Sequence, residues 1–519
     1  MTREIGEEAE SEQGVFYQSL QTVAKGSMVV FIGFGVGRLL TFARRLVIIH
    51  SISQADYGLF TLGLSIVMFA TALCGLGLAE GTQRFVALYR GKGDLESVKG
   101  TFYSAFGISM VSTLLFMVVL MFASGPISSL LDKPGLSSIL FVQSLIMPVS
   151  MAIFIIIAFY QGYENAFPKT AFGEIGLGVL TLATVVIAAA LHWGFHGIVA
   201  AFVLGHLLAL LPLLAYLSRS FPGSLKSVKP KYEIKELISF SLPIMFAVFA
   251  GEIMYHTDTV MLGYYESSKQ VGIYNGAVPL YLMLAIFLVA VGFMFGPVAA
   301  RMIGEKKDKA LLDLYKSVTK WSFLFTLPAC LLFLLYPTEV LRLFFGERYT
   351  AAATALQLLA VGEVVHTLLG PNDRILVAYG KTRLLLVDIV ATAALNVALN
   401  MTLIPRWGIN GAALATVISL VLANILFSSQ VFRSHRLHPF SWNYAKSVIA
   451  STAGILVLYY PLKLGLKVTC WVLPLYYAVF LGVSLAAVIL TGSVDDTDRA
   501  LYRAIKRRFS GILSGAGRP

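Results

Sequence analysis

The stretch GSMVVFIGFGVGRLLTFARRLVIIH, Gly26 to His50, decides what kind of protein this is. It is an apolar run long enough to cross a bilayer, for which about 20 residues suffice, yet it carries Arg38, Arg44 and Arg45. A guanidinium held in hydrocarbon costs about 2.5–3.5 kcal/mol on insertion scales, so such residues persist where they face a bundle interior or a wet cavity. The run therefore predicts a first transmembrane helix that lines a polar hole. The glycines of Gly33-Phe34-Gly35-Val36-Gly37 lie inside the span, where close helix packing is their expected role.

The rest of the chain has the same character. Of 519 residues, 57% are hydrophobic and 13% charged, against about 25% charged in soluble domains. The fold class is all-α: a polytopic membrane protein with about fourteen spans. The net charge of +12 does not indicate a nucleic-acid partner, because the basic residues alternate between loops instead of forming one patch. Cys74, Cys330 and Cys470 sit in apolar runs without metal-like spacing and read as small core residues. The N-terminus is acidic and lacks the basic and apolar regions of a cleaved signal peptide, so the first span is expected to direct insertion itself. Pro148, Pro212, Pro243, Pro279 and Pro328 fall within spans, which tolerate proline where neighbours re-satisfy the freed backbone groups.

With the N-terminus placed in the cytoplasm, the alternation of loops puts 30 of the 40 Lys and Arg residues inside, 7 outside and 3 in the first helix. One missed or invented span would destroy that asymmetry, so the positive-inside rule places both termini in the cytoplasm of a multi-pass cell-membrane protein. The expected organisation is a cytoplasmic segment 1–24, an N-lobe of six spans over 25–217, a cytoplasmic linker 218–235, a C-lobe of six spans over 236–432, two further spans over 433–492 and a basic tail 493–519. Within the tail, Asp495–Phe509 reads either as an amphipathic helix on the anionic inner surface or as a solvated tail.

An internal repeat supports two pseudo-symmetric lobes. At a constant offset of 214, Tyr57-Gly58-Leu59-Phe60 matches Val271-Gly272-Ile273-Tyr274, and Trp193-Gly194-Phe195-His196-Gly197 matches Trp407-Gly408-Ile409-Asn410-Gly411. Lys169 matches Arg383 and Glu174 matches Asp388. Each repeat holds an even number of spans, so the copies are parallel, with the transport path expected between them. Arg38 then aligns with Glu252, and Arg44 with Asp258. The pairs Arg38–Glu252 and Arg44–Asp258 are expected to form a charged gate that a ligand phosphate opens by competing for the arginines. The competing reading is static ion pairs, or snorkelling for Arg44 and Arg45 near the outer end. Further polar groups in spans are Glu174, Glu363, Asp388, Asn396, Asn400, Asn424, His206, His256 and His366. The pairs Glu252/His256 and Glu363/His366 have helical spacing suited to carrying a proton or a cation, with helix–helix hydrogen bonding as the bland alternative. Asn396 and Asn400 read as interhelical glue. No P-loop, HExxH, GxSxG or paired-cysteine motif is present, so no cofactor or metal is expected.

Several segments resemble the polysaccharide-biosynthesis flippases of the multidrug/oligosaccharidyl-lipid/polysaccharide exporter superfamily. They are Lys25-Gly26-Ser27, Tyr57-Gly58-Leu59-Phe60, Arg84-Phe85-Val86-Ala87 with Gly91-Lys92-Gly93-Asp94, Gln161-Gly162-Tyr163-Glu164, Asp258 to Gly263, Val271 to Asn275, and Asn396 with Asn400 to Ala413. The resemblance implies two six-helix lobes, alternating access, and movement of a lipid-phosphate- or lipid-diphosphate-linked glycan from the cytoplasmic to the outer leaflet. It implies arginines in a central cavity that hold phosphate, with Arg38 the matching residue and Arg44 and Arg45 alongside. Expected partners are that lipid-linked glycan, membrane lipids, H+ or Na+ as coupling ion, and glycan-assembly enzymes. A cation-coupled drug exporter is the first rival, with Glu252 and Asp258 as its acidic pocket. A membrane glycosyltransferase or ligase is the second, weakened by outer loops too short to carry a catalytic site.

Overall fold

The computed structural model describes residues 33–465 and 472–494. The start of the first span, the amphipathic tail segment and Cys470 lie outside the described residues. The described residues are almost entirely helical. Ten helices among them are long and apolar enough to cross a membrane, which bears out the polytopic class; that criterion does not reach a count of fourteen.

Contacts divide the chain into two units. The first covers Gly33–Pro279 with Ile389–Ala415. It opens with α1, whose described part is 33–51, followed by α2 (Gln54–Cys74) and α3 (Leu78–Gly91). Next come α4 (Leu95–Leu130), α5 (Leu136–Gln143) and α6 (Ile146–Gly162). A π-helical segment, Lys169–Gly176, leads into α7 (Leu177–Ala190), and α8 (Gly194–Ser220) follows. The short α9 (Gly223–Lys226), α10 (Ile234–Tyr265) and the start of α11 (Ser268–Leu284) complete it. Its aromatic centre joins Phe102 of α4 to Phe159 of α6, ring centroids 4.6 Å apart, with Phe221 stacked on Phe159 at 5.7 Å.

Helix α10 runs antiparallel along α2 and α3. Ser65 reaches His256 at 3.0 Å, Phe69 meets Phe249 at 6.0 Å, and further along Gly77 and Gly81 are pressed on Ser241. Glycines one turn apart remove the side chains that would hold the backbones separate, the usual device of close membrane helices. The linker is docked instead of free: Lys231 N–H donates to the Glu96 carbonyl (3.0 Å) and Lys99 Nζ to that of Val228 (2.8 Å). At the same end Asp94 caps α4, accepting from Ser97 N–H (3.0 Å) and Ser97 Oγ (2.7 Å). These two bonds hold the Asp94 carboxyl below its ordinary value.

The repeat is visible in the backbone. Helices α2 and α11 begin at Gln54 and Ser268, 214 residues apart. Gly194 and Gly408 both have positive φ, +70° and +54°, which a side chain adopts only with strain. Gly58 lies against the Ser268 backbone while its counterpart Gly272 lies against Gln54. Each partner is the repeat-equivalent of the other, so the contact is isologous, as on a two-fold axis.

The second unit covers residues 280–388 and those from 416 on. It holds α12 (Ile286–Gly304), α13 (Asp308–Leu335), α14 (Pro337–Phe345), α15 (Ala353–Leu369) and α16 (Asn372–Ala378). Both ends of α17 (Thr382–His435), then α18 (Trp442–Gly465) and α19 (Leu473–Leu490), complete it. Helix α13 is its hub. Tyr315 donates to the Leu369 carbonyl (2.8 Å), Tyr444 of α18 to that of Leu368 (3.1 Å), and buried Lys320 to that of Ser493 just past α19 (3.2 Å). A continuous α17 of 54 residues would be about 81 Å long at 1.5 Å per residue, far more than a bilayer. It breaks at Gly408, and Gly411 packs back against the Leu403 carbonyl, where the sequence places a turn between two spans.

Prolines 212, 243, 279 and 328 lie within helices, as expected. Pro148 falls in the first turn of α6, where no helical hydrogen bond is lost. Cys74 and Cys330 are buried and free, the core role read from the sequence.

Candidate functional site

One face of α1 is laid along the π-helical segment and α7. A Cβ added at Gly33 would stand 2.5 Å from Thr170 Cγ2, and one at Gly37 would stand 3.1 Å from Glu174 Oε2. Gly178 takes the side chain of Leu40, and Arg44 donates to Thr181 Oγ1 at 2.7 Å. Gly33 and Gly37 therefore do pack a neighbouring helix, as their position in the span predicts. The π-helical segment is itself informative, because such turns concentrate at functional sites. It presents Lys169 and Glu174, and Lys169 and Arg38 are the cations whose fields act on the Glu174 carboxylate.

Beside this segment the first unit holds a half-open cavity of about 370 Å³, with Glu80, Gln83 and Phe154 at its exposed edge. Its polar lining comprises Thr71 of α2, Glu80 and Gln83 of α3, Gln161 of α6, Lys169 and Glu174, and Glu252 of α10. Met68, Met151, Phe154, Ile157 and Val248 supply apolar wall. Three carboxylates face one lysine, so the formal charge of the lining is −2.

The sequence-predicted residues take different places. Glu252 lines the cavity and pairs with His256 at 3.4 Å, as their spacing suggests. None of the three arginines lines the cavity. Arg38 is half-buried, its guanidinium 4.8 Å from the Phe34 ring. Arg44 turns into its own bundle, bonded to Thr181 and 4.8 Å over the Phe202 ring. Arg45 lies beside buried Tyr57. Neither expected gate pair, Arg38–Glu252 or Arg44–Asp258, is formed among the described residues. Matched depth in two repeats fixes height along the helix but not azimuth, and the azimuth of α1 is set by Gly33, Gly37 and Leu40.

Asp258 belongs to a buried polar cluster. It accepts from Tyr274 Oη at 2.6 Å and from Asn400 Nδ2 at 2.8 Å, while Asn400 also donates to Asn396 Oδ1 at 3.1 Å. Asn400 therefore joins two helices, as read, whereas the bond of Asn396 is to Asn400 of its own helix. Glu363, 1% exposed, bonds within its own helix, to His366 at 3.3 Å and to Thr367, not across helices. Sequence reading passed over Glu80, Gln83 and Gln161 as site residues. The signal for two of them was their i, i+3 spacing on α3, masked because the α2–α3 break at Leu76 and Gly77 (φ +51° and +65°) re-aims that face within one apparent span.

This architecture, with a polar cavity among membrane-length helices, defines the class: a polytopic helical membrane protein with a transporter fold. The chain belongs to the polysaccharide biosynthesis protein family, whose model matches residues 23–307; a second model, MatE, matches 243–402. Stage V sporulation protein B of Bacillus subtilis (strain 168) is 22% identical over 85% of this chain and 90% of its own length. Lipid II flippase MurJ of the same organism is 21% identical over 90% of this chain and 92% of its own. The probable low-salt glycan biosynthesis flippase Agl15 of Haloferax volcanii is 25% identical over 44% and 49% respectively. Among solved structures, Lipid II flippase MurJ in an inward closed conformation superposes with a TM-score of 0.68 at 14% identity, covering 89% of this chain and 98% of that one. An inward-facing multidrug resistance MATE family transporter of the MOP superfamily gives 0.62 at 14% identity, covering 79% and 98%.

Proposed function

We propose that this protein is a flippase that moves a lipid-phosphate- or lipid-diphosphate-linked oligosaccharide from the cytoplasmic to the outer leaflet by alternating access, for surface polysaccharide or glycoprotein glycan assembly. The observation that carries this reading is a half-open cavity with charged and amide side chains among membrane-length helices, in a chain of the polysaccharide biosynthesis family. A glycan headgroup is too polar for hydrocarbon, whereas its lipid tail is at home there, so a polar cavity among apolar helices suits the cargo. In this reading fourteen spans form two six-helix lobes and an added pair, with both termini cytoplasmic. Arg38, outside the cavity lining but near enough to act on Glu174 within it, is assigned the phosphate, for which a guanidinium fork is well matched. Asp258, with Asn396 and Asn400, and the Glu252/His256 and Glu363/His366 pairs are the groups through which H+ or Na+ would be coupled.

The test is flipping by the purified protein in liposomes, with defined lipid-linked sugars, with and without ion gradients and membrane potential. Transfer of such a lipid supports the reading; inactivity toward all of them, alongside transport of drugs, refutes it. One observation favours a second reading, a cation-coupled drug exporter: the cavity carries three carboxylates against one lysine. Raised resistance to lipophilic cations on expression would support it.

A further inference from the structure

We propose that the cavity in the first unit is the sugar subsite, and that it accepts neutral or amine-bearing sugars while rejecting sugars that carry a carboxylate. This inference rests on the flippase reading and specifies its cargo. The volume, about 370 Å³, lies at the lower end of the range of about 300–1,000 Å³ for small-molecule sites, which suits one or two sugar rings and leaves the remainder of a longer glycan outside. The wall is divided as sugar recognition requires. Phe154, Met151 and Ile157 offer an apolar surface to the C–H face of a ring. Gln83 and Gln161 each carry donors and an acceptor, which matches hydroxyls that need both. Glu80, Glu174 and Glu252 accept hydroxyl or ammonium protons, and charge-assisted bonds of this kind are the strong ones.

The same three groups set the selectivity. A uronic acid would add a fourth carboxylate to a lining that holds one lysine, and unmatched like charges brought together at a binding site discriminate strongly against the wrong partner. The phosphate, itself anionic, belongs with Arg38 on α1, which lies outside the lining. Cargo charge is thus sorted by position: anion at the arginine, neutral or cationic ring among the glutamates.

The experiment uses the full chain in lipid nanodiscs and three short-chain prenyl diphosphate probes, bearing N-acetylglucosamine, glucosamine or glucuronic acid, with binding followed by thermophoresis. The neutral and amine probes are expected to bind about 10-fold or more tighter than the acid, a gap of roughly 1.4 kcal/mol. Combining Glu80→Gln, Glu174→Gln and Glu252→Gln should bring the three within about 2-fold of one another, and Lys169→Gln, a single change kept in case the triple variant does not fold, should widen the gap. Equal or tighter binding of the acid probe by the native protein overturns the sugar assignment and leaves the flippase reading standing. Failure of all three probes, with binding of tetraphenylphosphonium, overturns both.

Discussion

Alanine at Gly58 would place a methyl group where the backbone of a second helix already stands. The added Cβ would lie 1.8 Å from the Ser268 carbonyl oxygen and 2.9 Å from the Gly272 amide nitrogen, against an ordinary contact of 3.4 Å or more. The obstacles are main-chain atoms, so no rotamer relieves them, and α2 and α11 must separate locally by about 1.6 Å. Overpacking of this kind costs about 1–3 kcal/mol. In an alternating-access cycle the cost falls only on the state in which these two helix starts touch, so the population ratio shifts by about 5- to 150-fold toward the state in which they are apart. The proposed topology puts this end of α2 outside. Thr61, one turn further in and buried, can carry a cysteine in a background where Cys74, Cys330 and Cys470 are alanine. Its labelling by an impermeant maleimide from outside should accelerate by that factor in Gly58→Ala. Gly272→Ala should do the same, and the double variant should add little, because one separation relieves both clashes. An unchanged labelling rate in a folded, monodisperse Gly58→Ala protein would refute the idea that this contact seals the outer end.

Arg38→Gln is expected to slow flipping about 10-fold or more while leaving thermal stability in detergent unchanged, as the loss of a charge-assisted ligand contact would. Arg44→Gln should do the reverse, lowering stability by about 1–3 kcal/mol because Thr181 and the Phe202 face lose a buried partner; a flipping defect at full stability would contradict this. Asn400→Ala should destabilise the protein by a similar amount of about 1–3 kcal/mol, read as a lowered melting temperature, since buried Asp258 loses a hydrogen-bond donor. Asp94→Ala should cost about 1 kcal/mol as a lost helix cap. The carboxyl of Asp94 is held below its ordinary value, so its contribution is present above the unfolded value near pH 4 and fades as pH falls through the lower folded one. Acid melting curves of the native protein and the alanine variant should converge there.

Residues whose meaning is local were legible in the sequence. The 214-residue offset predicted paired helix starts and paired turns, and Gly194 and Gly408 both turn with positive φ. Gly33 and Gly37 announced a close helix neighbour, and the i, i+4 spacing of Glu252 and His256 became a contact. What failed was the facing of side chains across distance. Arg44 and Asp258 sit at equivalent places in their repeats but turn to Thr181 and to Tyr274 with Asn400 respectively. Composition along a helix gives depth, whereas rotation about its axis is set by packing partners that the linear chain does not identify. Glu80 was lost for a related reason: a left-handed turn at Leu76 and Gly77 redirects a segment that reads as the tail of one span.

Every wall of the acidic chamber comes from Gly33–Pro279, including the wall supplied by α10, a helix that belongs by sequence to the second repeat. A molecule lodged there therefore touches helices of both repeats at once. In an alternating-access cycle the parting of α10 from α3 would loosen its grip in the same movement that opens its way out, so release needs no separate trigger.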